Sequence, residues 1–285
     1  MTIPEKTSHR VILVIVGLLL LSTAVYFAAQ LPTADFYTEF YPAARGIFTG
    51  HSPYEPVGYI CAPWGVIPLL PFVIFPPETA HGLFFVASAL LFILIAWRMK
   101  APPLATAAFL LSPTGVGALL VGNIDPVVMA GILLPPVWGL LVLLIKPQVG
   151  FGVAVYYLVE SYRKGKIREL FRVFSPVAAA YLLALVFFPI WFQRMLNNPS
   201  NIWNRSLFPY AIPVGLFFLW VAIRKRNPYY ALAAAPFLAP YLSFYTYSVV
   251  QIGLLNEDVE KYIRRDVLQI ILCIFLWIIM LVFKL

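Results

Sequence analysis

VILVIVGLLLLSTAVYFAAQLPTADFYTEFYPAARGIF, residues 11–48, sets the terms for reading the whole chain. Val11 to Ala29 carries no charge and approaches the ~20 apolar residues needed to cross ~30 Å of hydrocarbon. A cleaved signal peptide has a shorter apolar core followed by a small-residue cleavage site, so this run and the Tyr26–Pro32 stretch after it read as a retained first helix. Directly behind it come Asp35, Glu39 and Arg45, set among aromatics. With 62% hydrophobic and 11% charged residues and a mean hydropathy of +0.87 over 285 residues, the chain reads as an all-α polytopic integral membrane protein. Residues 1–285 form a single transmembrane domain with no separate soluble domain and no internal repeat.

Further spans are predicted at 80–97, 104–121, 173–190, 207–223 and 267–284. Two regions are less regular. Residues 126–158 are long for one helix and are interrupted by Pro135-Pro136 and Lys146-Pro147. Proline removes a helical donor and disfavours helix in the residue before it, so three short broken segments are expected there. Residues 229–255 read as one bent span or two half-spans turning near Tyr245 to Ser248. The sum is a bundle of about eight to eleven transmembrane or half-spanning helices.

The net charge of +8 has a topological explanation rather than a nucleic-acid one. With the N-terminus inside, most Lys and Arg fall on the cytoplasmic side: Lys6, Arg10, Arg98, Lys100, Arg163, Lys164, Lys166, Arg168, Arg172, Arg224 to Arg226, Lys261, Arg264 and Arg265. Outside remain Arg45, Arg194 and Arg205, with Lys146 buried. Anionic lipid head groups suit such cytoplasmic clusters. Cys61 in the first outer loop and Cys273 mid-helix are not placed to pair. His9, His51 and His81 lack a helical metal-ligand spacing, and no metal is expected.

Between the first two helices lies a proline-rich outer loop, 31–79, too apolar to float in solvent. Short helices at 35–48 and 64–75 are expected to lie along the outer membrane face. Phe36, Phe40, Ala43, Ala44 and Ile47 recur at helical spacing and would rest in the interface, with Asp35 and Glu39 sharing one face.

The stretch DFYTEFYPAARGIFTGHSPY resembles the first outer loop of the glycosyltransferase family 87 branch of the GT-C superfamily. The pattern is carried by Asp35, Phe36, Tyr41, Ala43, Ala44, Arg45, Gly50, Pro53 and Tyr54. Tyr59 with Pro63, GNID at 122–125, IKP at 145–147, RKGK at 163–166 and APYLSFYTYSVV at 239–250 follow in order. The similarity is strongest over 33–54, extends across 110–170 and is weak beyond 173. The resemblance implies a GT-C-like bundle and a metal-independent, inverting transferase without a cofactor. Its donor would be a polyprenyl-phosphate sugar such as mannose, and its acceptor a lipid or glycan at the extracytoplasmic face. Asp35 matches the general base.

The chemistry fits the residue types. A lipid phosphate leaves readily, so the protein's main task is to take a proton from the acceptor hydroxyl, which suits a carboxylate. Asp35 reads equally as a helix N-cap. Glu39 is a candidate acceptor contact, as is His51 through its titration near neutrality. The donor phosphate calls for cations, and Arg45, Arg194, Arg205 and Lys146 are the candidates. A charge at mid-membrane costs ~2.5–3.5 kcal/mol on insertion scales, so Lys146 either faces a cavity or snorkels at a helix end. Asp125 is its candidate partner or an ordinary Asp-Pro turn residue. Asn123, Tyr54 and Tyr245 complete the set, although tyrosines also populate interfacial belts. Asp35, Glu39, Glu55, Glu78 and Asp125 all map outward, which argues for one interfacial site rather than a transport path. The alternative class is a non-catalytic, lipid-carrier-binding, flippase-like or scaffold subunit of an envelope-building membrane complex.

Overall fold

A computed structural model describes residues 22–23, 26, 30, 35–55, 58–196 and 203–283. The predicted first span, 11–30, falls almost wholly outside them. Regular structure is helical throughout, with no strand among the described residues. Three helices are long and apolar enough to cross a membrane, within the following order of elements.

A π-helical turn, Phe36–Phe40, runs into α1 (Tyr41–Phe48), and a 3-10 turn covers Pro63–Leu69. Then come α2 (Pro77–Arg98), α3 (Pro103–Leu110), α4 (Pro113–Leu120), α5 (Asp125–Ala130) and α6 (Pro136–Leu143). They are followed by α7 (Pro147–Phe187), α8 (Pro189–Leu196), α9 (Ile212–Lys225), α10 (Pro228–Leu238), α11 (Ser248–Gly253) and α12 (Arg265–Phe283). The three long apolar helices are α2, α7 and α12. The span expected at 104–121 is α3 and α4, bent by 62°. Pro113 ends α3, and Ser112 Oγ accepts from the Gly115 amide at 3.1 Å to start α4. A Cβ on Gly115 would lie 2.4 Å from the Phe109 carbonyl, so a side chain there would force the bend open.

α7 is not one rod. An unbroken helix of its 41 residues would be about 60 Å long. Yet Tyr181 Oη donates to the Leu144 carbonyl at 2.6 Å, just before the helix begins. The reversal occurs at Gly165 and Lys166, the latter with φ of 50°. Two antiparallel limbs, 147–164 and 167–187, result, and the second contains most of the span expected at 173–190.

Residues 126–158 break where the prolines predict, into α5, α6 and the first limb of α7. Residues 229–255 form two short helices, α10 and α11, and a Cβ on Gly253 would lie 2.6 Å from the Tyr229 carbonyl. The end of α11 therefore returns to the start of α10. Gly152 presses on the Ala231 carbonyl, and Ala231, Ala233, Ala234 and Ala235 are buried. Small residues let α7 and α10 approach backbone to backbone.

The expectation for 35–48 needs correction. Phe36, Phe40, Ala43 and Ala44 are not laid open along one face but sit in the main core. Phe36 stacks on His81 with ring centroids 4.9 Å apart, and Phe40 meets Tyr59 edge-on. The start of α2 and the 59–69 segment cover this apolar side, and of its large apolar side chains Ile47 and Phe48 are exposed.

The two ends of α2 mark the two ends of the bundle. At its C-terminal end Arg265 donates to the Met99 carbonyl, Lys100 pairs with Glu257, and Lys225 donates to Tyr262 Oη. Arg163 reaches the Ile223 carbonyl at 3.1 Å. The basic clusters assigned to one side of the membrane thus share one end. The N-terminal end of α2, at His81, adjoins the 35–40 turn and the residues considered next.

Candidate functional site

Asp35 opens the π-helical turn, but its side chain makes no capping bond. It reaches across instead, because the Phe36 amide donates to the Val121 carbonyl at 3.0 Å and ties this turn to the end of α4. The next residue, Gly122, has φ of 63°, and a Cβ there would lie 2.7 Å from both His81 Nε2 and Phe36 Cβ. Only glycine takes this backbone without strain, and the turn it makes aims Asn123 at Asp35.

Asn123 Nδ2 donates to Asp35 Oδ2 at 2.8 Å and lies 2.9 Å from Tyr245 Oη. The Tyr245 hydroxyl also donates to Asp35 Oδ2. The orientation of the Asn123 amide follows from its other end. Its Oδ1 accepts from the Asp125 amide at 3.0 Å and from Lys146 Nζ at 3.2 Å, both donors, so the NH2 group must face Asp35. Lys146 Nζ lies 2.5 Å from Asp125 Oδ1, an ion pair whose side chains are 13% and 0% exposed. Asp125 Oδ2 is buried without a hydrogen-bond partner among the described residues.

Four separate elements deliver these groups. Asp35 comes from the turn before α1, and Asn123 and Asp125 from the α4–α5 connection. Lys146 sits at the proline break before α7, and Tyr245 in a 3-10 turn, Phe244–Tyr247, between α10 and α11. They gather at a cavity of about 1060 Å³. Asp35, Glu39, Asn123, Lys146, Arg205 and Tyr245 form its polar side, while Phe151, Leu238 and Met280 supply apolar wall. A smaller hollow of about 550 Å³ lies at the α7 reversal among Arg168, Glu169 and Arg172, none of them in the lining of the larger cavity.

No protein-family model, curated protein or solved structure matches the chain. The site is therefore read from its own geometry.

Of the residues singled out from sequence, Asp35, Glu39, Asn123, Lys146, Arg205 and Tyr245 line the cavity, with Asp125 directly behind Lys146. The others lie elsewhere. Arg45 turns to the Val73 carbonyl at 3.2 Å, His51 pairs with Glu55 on the exposed loop, and Tyr54 is buried with its hydroxyl on the Cys61 carbonyl. Arg194, on α8, is not in the cavity lining and acts electrostatically on Tyr54. Sequence reading passed over Thr38, Cys61 and Gln148, which also line the cavity. Thr38 is one turn from Asp35, so spacing carried a signal for it, whereas Gln148, two residues past Lys146, shares no helix face with it and gave none. Cys61 carried none.

The two cavity carboxyls differ in setting. Asp35 accepts from two donors. Glu39 has no hydrogen bond or ion pair among the described residues, and its pKa is pushed up to about 8 by burial and by the nearby Asp35 charge, against the pull of Lys146. Burial likewise raises the Cys61 thiol to about 12, which keeps it an inert wall group. The arrangement provides a fixed proton acceptor, a second carboxyl one turn away, and a cation behind them.

Proposed function

We propose that this protein is a multi-pass membrane glycosyltransferase. It moves a sugar from a polyprenyl-phosphate donor to a lipid or glycan acceptor. Asp35 removes the proton from the acceptor hydroxyl as that oxygen attacks the anomeric carbon. The bond from that carbon to the phosphate oxygen breaks, and the phosphate departs with the electron pair, inverting the configuration. The observation that carries the reading is the Asp35 carboxylate, held by Asn123 and Tyr245 at the wall of a cavity of about 1060 Å³. A base fixed by two donors meets the geometric demand of proton abstraction.

Arg205 at the rim and Lys146 within offer positive charge for the phosphate, and the apolar wall of Phe151, Leu238 and Met280 suits an isoprenoid. The shared end of the basic clusters, opposite the cavity, supports a cytoplasmic placement for that end and an extracytoplasmic one for the site. The GT-C-like pattern at 33–54 supports the same reading.

The test is transfer from a radiolabelled polyprenyl-phosphate mannose by the full chain and by Asp35→Asn, both in lipid nanodiscs. Activity abolished in the variant while donor binding survives is the expected outcome. Tight donor binding with no transfer from either protein, across a panel of acceptors, would replace the enzyme with a non-catalytic carrier-binding or scaffold subunit.

A further inference from the structure

Asp35 and Glu39 lie four residues apart on one turn and line one cavity, but among the described residues only Asp35 has donors. Three features isolate the Glu39 carboxyl. Gly58 packs on its side chain, since an added Cβ there would lie 2.5 Å from Glu39 Cγ and 3.2 Å from Oε1. The cation nearest in charge terms, Lys146, has its ammonium held by Asp125 at 2.5 Å and Asn123 at 3.2 Å. The other titratable groups around Glu39 are Asp35 on its own element and Tyr59 and Cys61 on the 59–61 stretch. None of these supplies a positive charge.

An ionised Glu39 here would be a recessed carboxylate without an ion-pair partner among the described residues, with Lys146 already paired to Asp125 and a second carboxylate beside it. A bound phosphate would add a third negative group to the same space. The conflict disappears if one of the carboxyls is neutral, and Asp35, with its two donors, is already committed as an acceptor.

We propose that Glu39 works as a neutral carboxylic acid that donates a hydrogen bond to an anionic phosphate oxygen of the cavity ligand. The proposal rests on the glycosyl-donor reading of the same cavity and specifies how its phosphate is tolerated there. The two carboxyls then divide the work: one accepts from the acceptor hydroxyl, the other donates to the leaving group's anion. The raised titration of Glu39, to about 8, supports this, since the group keeps its proton at neutral pH and loses it above.

The experiment measures binding of farnesyl-phosphoryl-mannose to the full chain in nanodiscs of uncharged lipid from pH 6 to 9.5. A phosphodiester keeps one charge across that window, so a break in affinity belongs to the protein. Wild type should lose about 10- to 30-fold in affinity as pH rises through about 8 to 9.5. Glu39→Gln, neutral at every pH and still a donor, should bind tightly throughout with no break. Glu39→Met, neutral but with no proton to donate, should bind weakly throughout, also with no break. A wild-type affinity that is flat to pH 9.5, or a break that persists in Glu39→Gln, overturns the proposal and leaves the enzymatic reading standing. Absence of probe binding to wild type at every pH overturns both.

Discussion

Replacing Lys146 by Met isolates the energetic cost of the charge network. Asp125 is fully buried, its Oδ2 has no partner among the described residues, and its Oδ1 relies on the ammonium at 2.5 Å. Removing the ammonium leaves that carboxylate unpaired in the interior, and it also removes one of the two donors that fix the Asn123 amide. Breaking a buried pair from one side costs about 3–5 kcal/mol, whereas replacing both partners with uncharged groups is far milder. Lys146→Met should therefore lose about 3–5 kcal/mol, a drop on the order of 10 °C in the unfolding midpoint for a chain of this size. The double variant Lys146→Met/Asp125→Asn should recover at least about 2 kcal/mol of that loss. Paired thermal and denaturant unfolding of purified protein in detergent measures both. A single variant within about 1 kcal/mol of wild type, or a double variant no better than the single, would refute the account of a mutually dependent pair.

Tyr245→Phe removes one donor from Asp35 and leaves the ring in place, so transfer should slow by about 10- to 100-fold in kcat with little change in KM, read in the labelled-donor assay. Gly152→Ala forces a methyl to within 2.1 Å of the Ala231 carbonyl and should cost at least about 2 kcal/mol by pushing α7 and α10 apart; an unfolding midpoint equal to wild type would contradict that packing. Glu39 binds its proton more tightly in the folded chain, at about 8 against 4.5, so its stabilising contribution is complete below 4.5 and is lost as pH rises through about 8. Glu39→Gln should thus gain on wild type with rising pH, to a ceiling of about 4–5 kcal/mol, in unfolding midpoints taken from pH 4.5 to 9.

Proline positions made much of the chain legible. Pro113, Pro136 and Pro147 start helices in the structure, and the breaks before them fall where backbone chemistry places them. The clustering of the basic residues was legible in part, since Arg163, Lys225 and Arg265 lie at one end of the bundle, through contacts that periodicity alone does not reveal. What stayed hidden depends on long-range closure. That Asn123 carries the orientation of Asp35 needs the Phe36–Val121 bond and the left-handed Gly122, and neither leaves a mark in hydropathy. Arg45 and Tyr54 looked like site residues because they sit in the motif stretch. Each instead holds a loop carbonyl, Val73 for one and Cys61 for the other, outside the cavity lining.

The reversal at Gly165 and Lys166 has a practical use. Because the two limbs of α7 run side by side, the chain enters and leaves this tip at neighbouring points, with Lys164, Lys166 and Arg168 exposed around it. A reporter domain spliced between Gly165 and Lys166 would need only a short tether and would leave both limbs in register. Cutting the gene at the same bond would yield two halves whose reassociation relies on the Tyr181–Leu144 and Gly152–Ala231 seams, which turns a helical hairpin into a handle for locating the tip in living cells.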